Sequence, residues 1–497
     1  MTGTTWTEVW RTAPTRIGHA LLAGVLVSVA SMVASCRGGP ESVQNPAEVL
    51  SRSGLARERY FDAIDAARLR GVDEATKAAL RRMVAAQGYA LDVREQAFAL
   101  LLETDRAALV EALENSLPRQ GDVAWRGRAC ELIGEARLQE LIPTLIRSWA
   151  NPAPGLEGKS FNEKGERPER MAIAAIVGDD QLEAVILRTM RESSPVTQAN
   201  LRARCWELLM KNGAQDRLRA LLQDPEATKG DAMLIDLGRI ARDLGVLPVT
   251  REEILWSREL CESKRDGFME AAKRALAQMP EARRSSLEIR GIPIAVAVAA
   301  RRPELLAASD DAMYEEIAAR IKARRKASPD FTGYGSGYGE ILYQHREKLV
   351  WADRAAMLLA LDLFQEEALL RHLFEQADRD REDRSTEYGG VIALDARTNR
   401  GALLEFVPRS KASDVRYESP QALFDALYTA PFHYHNHTQK YDNSDYAGPH
   451  LGDFQFADST RCNGLVFTFL DSDSIDIDFY RHDQVVVDLG CVERPEG

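Results

Sequence analysis

Cysteine is scarce in this chain, six in 497 residues, and no two stand in a CxxC pair. That removes the thiolate zinc finger and the thioredoxin-type redox motif. No GxSxG elbow is present, and no cysteine has a histidine partner in sequence, so nucleophilic catalysis by serine or cysteine is not indicated. Positive charge is also short. Sixty-four Lys and Arg stand against 76 Asp and Glu, for a net charge of −12 and a pI near 5.4. A chain without a basic stripe has no general grip on nucleic acid. The glycine-rich stretch "KASPDFTGYGSGYGE" (326–340) lacks a preceding strand and a following GK[ST]. It reads as a linker or loop, not a phosphate cradle.

The N-terminal apolar run "ALLAGVLVSVASMVASC" (Ala20 to Cys36) has 17 residues, short of the ~20 a membrane helix needs. It follows a polar stretch carrying Arg11 and Arg16, the pattern of a secretory signal. Its end, "VASC", resembles a bacterial lipobox. The resemblance implies that residues 1–35 are a lipoprotein signal peptide and that Cys36 is lipidated as the first mature residue. The expected product is an exported bacterial lipoprotein, held at a membrane by its lipid anchor and facing the periplasm or the cell exterior. Residues 36–52 read as a flexible linker. Of the five other cysteines, Cys130, Cys205 and Cys261 fall in helical patterns as small buried hydrophobes. Cys462 and Cys491 flank two expected strands, and an oxidising compartment would allow them to pair.

Residues 53–325 read as amphipathic helices with apolar positions at i, i+3, i+4 and i+7. Aligning Ala97, Ala129, Ala172 and Cys205 gives offsets of 32, 43 and 33 residues, the long one holding the loop "NPAPGLEGKSFNEKGE". Helix pairs at this period resemble degenerate HEAT repeats, an α-helical solenoid whose concave face would take a protein or peptide partner. The stretch "IRGIPIAVAVAARRPELLA" fits a buried helix or a strand. Residues 341–384 read as a helical connector. Within it one helix is expected from about Ala352 to Asp378, with His372 packed among leucines.

After Ser385 the period falls from 3.6 to 2. "GGVIALDA", "GALLEFVP", "GLVFTFLD", "SIDIDFY" and "QVVVDLG" read as strands, and "SPQALFDALYTA" as a short helix capped by Ser419. The expected fold is therefore multidomain, a helical solenoid followed by an α+β domain over 385–497. Within it "DSDSIDID" (Asp471 to Asp478) has an acidic spacing like that of calcium loops. It lacks the glycine and glutamate of an EF-hand, and a turn leading into a half-exposed strand accounts for it.

Four of the eight histidines fall in "PFHYHNHTQKYDNSDYAGPHLGDF" (Pro431 to Phe454). As a strand, "FHYHNH" points His433, His435 and His437 to one face. After a 12-residue loop, a turn sets His450 and Asp453 three apart on one side of a helical turn. Two imidazoles and one carboxylate make a three-ligand zinc site with a fourth position open, the catalytic pattern and not the closed structural one. His433/His435 is an alternative ligand pair. His435/His437 is preferred because the loop follows at once. A catalytic site also needs a base, and Glu387 in "STEYGGVIALD", at the head of the first strand, is the candidate.

Glu387, then His435-Asn436-His437, then His450-Leu451-Gly452-Asp453 resembles the E…HxH…SxxD signature of JAMM/MPN metallopeptidases. It covers about a quarter of the chain, roughly Glu387 to Gly490. The resemblance implies His435, His437 and Asp453 as zinc ligands, Glu387 as general acid/base, and hydrolysis of peptide or isopeptide bonds. Two features depart from the family. His450 stands where the family has serine; it would donate a hydrogen bond in the serine's place, become a fourth ligand that blocks water, or contribute nothing. The loop "TQKYDNSDYAGP" is longer than usual, and is expected to lie over the cleft as a substrate-selecting flap. The rival expectation is a surface scaffold whose last domain binds metal or ligand without turnover.

Overall fold

The structure is a computed structural model, and it describes residues 39–150, 167–327, 340–395, 397–411, 413–414 and 416–496. Cys36, the signal segment and most of the 326–340 loop lie outside the described residues. The chain forms two compact units, one ending at Leu182 and the other running from Glu183 to the C-terminus. That division does not coincide with the change of periodicity near Ser385. Among the described residues no helix is long and apolar enough to cross a membrane.

The first unit is helical. Short connections join successive helices such as Leu91–Thr104 and Arg106–Ser116, then Val123–Glu135 and Ile142–Ala150. The aligned small residues Ala97, Ala129 and Ala172 are all buried. Close approach explains the choice. At Gly134 an added Cβ would lie only 3.1 Å from the Cβ of Ala175.

A second repeating device sits three residues before the small position. Arg94 and Arg126 are fully buried there. Arg94 donates to the Val84 carbonyl at 2.9 Å and Arg126 to the Ser148 carbonyl at 2.7 Å. Each also meets an acid further along the chain, Asp122 for Arg94 and Glu169 for Arg126. The planar fork satisfies backbone carbonyls that burial would otherwise strand. In the second unit Arg202, three before Cys205, repeats the pattern with the carbonyls of Met190 and Ser193 and with Asp231.

The second unit opens with helices and ends in a mixed sheet. Gly291–Arg301, from the ambiguous apolar stretch, is a helix. The single helix expected over Ala352–Asp378 is two, α1 (Trp351–Leu363) and α2 (Glu367–Glu382). Neither His372 nor Ser419 does what was expected. His372 is half-exposed on α2, 3.2 Å from Glu405, because its face turns away from the core. Helix α3 (Gln421–Leu427) has Pro420 as its N-cap and no side-chain cap, one residue later than Ser419 would set it.

The strands are β1 (Gly389–Leu394), β2 (Gly401–Glu405), β3 (Phe432–His437), β4 (Gly464–Phe469), β5 (Ser474–Arg481), β6 (Val485–Asp488) and β7 (Val492–Glu493). Their order is β2-β1-β3-β4-β5-β6, with β7 paired to β5. Among the described strands β3 and β4 are the one parallel pair, and the crossover between them contains α4 (Leu451–Thr460).

Alternation along β3, β4 and β5 sorts side chains onto two faces. Phe432, Tyr434, Phe467, Phe469, Ile475 and Ile477 join one large core that also holds Ile240, Met269, Val298 and the apolar residues of α1. The sheet thus shares its core with the helices before it. On the other face Val466, Tyr480 and Val486 pack under Phe454 and Ala457 of α4. Both faces being covered, β3 through β6 are buried throughout. The half-exposed strand expected at "SIDIDFY" is therefore a buried one.

Candidate metal centre

β3 is a central strand, and its three histidines share the face beneath α4. Their positions in register run His433 beside Gly464, His435 beside Val466 and His437 beside Thr468. Helix α4 begins just past His450. There the backbone N–H of His450 donates to Asp453 Oδ2 at 2.7 Å. This places Asp453 in the first turn, where free N–H groups and the helix dipole favour a negative charge.

The three elements converge. His435 Nε2 lies 3.2 Å from His437 Nε2 and 3.2 Å from Asp453 Oδ1. One ligand atom from each of His435, His437 and Asp453 falls within 4.8 Å of the others. His437 Nδ1 donates to the Tyr446 carbonyl at 2.7 Å, which orients the ring and leaves Nε2 as the lone-pair nitrogen. Two imidazoles and a carboxylate suit a transition-metal ion, with coordination left over for a further group.

His433 is not in this set. Its ring packs at a tilt 4.5 Å from that of Phe456, and neither ring nitrogen has a protein partner. The convergent pair is thus His435/His437. His450 is also outside the triad. Its ring lies parallel to that of His437 at 4.8 Å, and its Nε2 is buried without a protein partner.

Electrostatics separate the groups sharply. Burial pushes His437 down to about 3, with His435 adding repulsion. Burial also opposes a charge on His435, but the Asp453 carboxylate and Glu387 outweigh it and raise His435 above its ordinary value. Asp453 is held well below the carboxylate range, because His435 beside it overcomes the cost of burial. His450 is lowered, chiefly by burial.

Glu387 precedes β1 and reaches the same centre. The Asn436 N–H donates to the Tyr388 carbonyl, clamping the Glu387 segment against the end of β3. Burial pushes Glu387 up to about 7, and nearby Asp453 and Asp414 add to this against the pull of His435. Gln439 Nε2 donates to its Oε1 at 3.2 Å. A cavity of about 600 Å³ opens here, lined by Glu387, His437, His450, Gln439, Lys440 and Tyr446 among others.

The loop after β3 forms a wall of this cavity. Asn443 fastens it by donating to the His437 carbonyl at 2.9 Å and to Gln439 Oε1 at 2.7 Å. Sequence reasoning missed this bracing, and it missed Asp380. That carboxylate, on α2, accepts from Thr438 Oγ1 at 2.6 Å, and burial pushes it up to about 8. A lone Asp on a charged helix face carries no signal in sequence. Thr438, adjoining the histidine strand, was the only hint. Cys462 and Cys491 are both free thiols, so they do not pair with each other.

Comparison of this chain with known protein families, curated proteins and solved structures finds no match.

Proposed function

We propose that the protein is a membrane-tethered bacterial lipoprotein with a zinc-dependent, JAMM-like peptidase or isopeptidase domain. The observation that carries this reading is the meeting of His435 Nε2, His437 Nε2 and Asp453 Oδ1, with Glu387 raised to about 7 in the same cavity. Ligands about 2.0–2.1 Å from a tetrahedral zinc lie roughly 3.3 Å apart, and the 3.2 Å spacings fit that set. His435, His437 and Asp453 would hold the ion. Bound zinc supplies Lewis-acid polarisation of a carbonyl and acidifies water.

The protein's own groups supply the rest. In the metal-free protein Glu387 is raised to about 7; beside a bound zinc it would act as the carboxylate that accepts a proton from water and returns it to a leaving amine. Gln439 holds that carboxylate in place through its amide. His450 stays neutral, and its unpartnered Nε2 suits a hydrogen bond to an oxyanion, the role a serine has in the resembled family. The helical repeats, with their buried-arginine device, support a solenoid that presents a protein substrate or partner.

Metal analysis of purified full-length protein tests the site. The expected result is one zinc per chain, lost in His437→Ala and Asp453→Ala and kept in Glu387→Gln. Absence of zinc from wild-type protein refolded with the metal would sink the reading. Turnover tests the chemistry. Loss of peptide or isopeptide hydrolysis in Glu387→Gln with zinc retained supports it, and unchanged activity removes Glu387 from the mechanism. The scaffold reading is favoured if zinc binds and no peptide or isopeptide is cut. Release from the membrane fraction on Cys36→Ser tests the anchor.

A further inference from the structure

The same sheet carries a second group of chelating side chains that the first centre does not use. On β5, Asp476 and Asp478 point to the histidine face, two residues apart. Asp478 pairs in register with Asp488 on β6, and Asp476 with Thr468 on β4. One carboxylate oxygen from each of Asp476, Asp478 and Asp488 lies within 4.8 Å of the others. Glu340 adds a fourth carboxylate near enough to repel the three. The Asp488 N–H donates to the Glu340 carbonyl at 3.0 Å, which ties that segment to β6.

Four carboxylates face a single ammonium, Lys326, 3.6 Å from Asp488 Oδ2. Asp476 and Asp478 are completely buried. An uncompensated buried charge is costly, so such groups are paired, protonated or bound to a metal. Burial and mutual repulsion favour the protonated forms of Asp476 and Asp478, and a bound cation is the other way to neutralise them. Both oxygens of Asp478 and Oδ2 of Asp476 have no protein partner, and Oδ1 of Asp476 accepts from the Cys491 thiol at 3.4 Å. Independently of the acids, Thr468 is fully buried on the same face with its hydroxyl unpartnered. Directly opposed residues of an antiparallel pair have Cβ atoms about 5 Å apart, which brings that hydroxyl alongside Asp476.

We propose that Asp476, Asp478 and Asp488, with the Thr468 hydroxyl beside them and Glu340 at the edge, form a second metal site that takes one hard divalent cation of the calcium type. All the donors are oxygens, the preference of hard cations, and no imidazole takes part. Oxygens about 2.4 Å from a calcium ion lie up to about 4.8 Å apart, the span of the cluster. The site also abuts the first centre. Thr468 lies between His437 and Asp476 in register. A Cβ at Gly448, two residues before His450, would lie 2.4 Å from Glu340 Oε1. A cation at the three aspartates attracts Glu340, whose carboxylate lies against the turn leading into the His450–Asp453 segment.

Calcium titration of full-length, zinc-loaded protein by calorimetry and thermal melting tests this. The expected result is one calcium per chain bound at or below about 1 mM, the upper range of extracellular calcium modules, with a rise in melting temperature that EGTA reverses. Asp478→Asn and Asp488→Asn should each weaken binding at least tenfold while zinc content stays at its wild-type value. His437→Ala should bind calcium as wild type does. If Asp478→Asn does not fold, Glu340→Gln, at the edge of the cluster, carries the comparison. No calcium response up to about 1 mM, saturation by magnesium alone, or wild-type affinity in the foldable carboxylate variants would overturn the proposal.

Discussion

Glu387→Gln in metal-free protein offers a direct measure of what burial does to the centre. Glu387 is 7% exposed and is raised from an ordinary 4.5 to about 7, first by burial and then by Asp453 and Asp414. A carboxyl raised in the fold binds its proton more tightly there than in the unfolded chain. Its contribution is therefore fully present below about 4.5 and is lost as pH rises to about 7. At about 1.4 kcal/mol per pH unit, the loss comes to about 3 kcal/mol. Glutamine has the same shape, keeps a carbonyl oxygen for Gln439 and carries no charge. Denaturant unfolding after metal removal, at pH 4.5 and pH 8, should show wild type losing about 3 kcal/mol relative to the variant. Asp380, raised to about 8 chiefly by burial, titrates in both proteins. A difference that stays within about 0.5 kcal/mol across this range would refute the account of Glu387 as a buried, desolvated carboxyl.

Other outcomes follow from the same packing. Asp353 is fully buried and accepts from Arg290 at 2.7 Å and from Arg481 at 3.0 Å. Asp353→Ala removes the buried carboxylate shared by two guanidinium groups and should cost about 3–5 kcal/mol in denaturant unfolding. Gly464→Ala would put a Cβ 2.2 Å from the Tyr480 ring beside the metal face. It should cost about 1–3 kcal/mol and lower the melting temperature; a neutral result would mean that the Tyr480 ring can move. Thr438→Val removes the hydroxyl donor of buried Asp380 and should cost about 1–3 kcal/mol, read as a lower denaturation midpoint at pH 7.

Where sequence and structure agree, the reason is local. The strand pattern after Ser385 is a period of two, and each expected strand is present, "FHYHNH" included. His435 and His437 share a face because side chains alternate on a strand, and Asp453 sits three after His450 because a helix starts there. Where they differ, the deciding contact is distant. His433 obeys the same alternation, yet Phe456 on α4 takes its ring into packing. The acidic residues of "SIDIDFY" look solvent-facing by pattern and are buried because the second face is covered as well.

The sequence by itself determined the helix-then-strand order, the histidine strand and the carboxylate at a helix start, since each depends on the spacing of a few neighbouring residues. Tertiary structure alone decided which histidines converge, that Glu387 is raised to about 7 beside them, and that Asp476, Asp478 and Asp488 meet out of water. Convergence and burial come from strand order and from what α4 and the loops lie upon. Those are relations between segments far apart in sequence, such as Glu340 and Asp488, 148 residues apart. No local pattern encodes them.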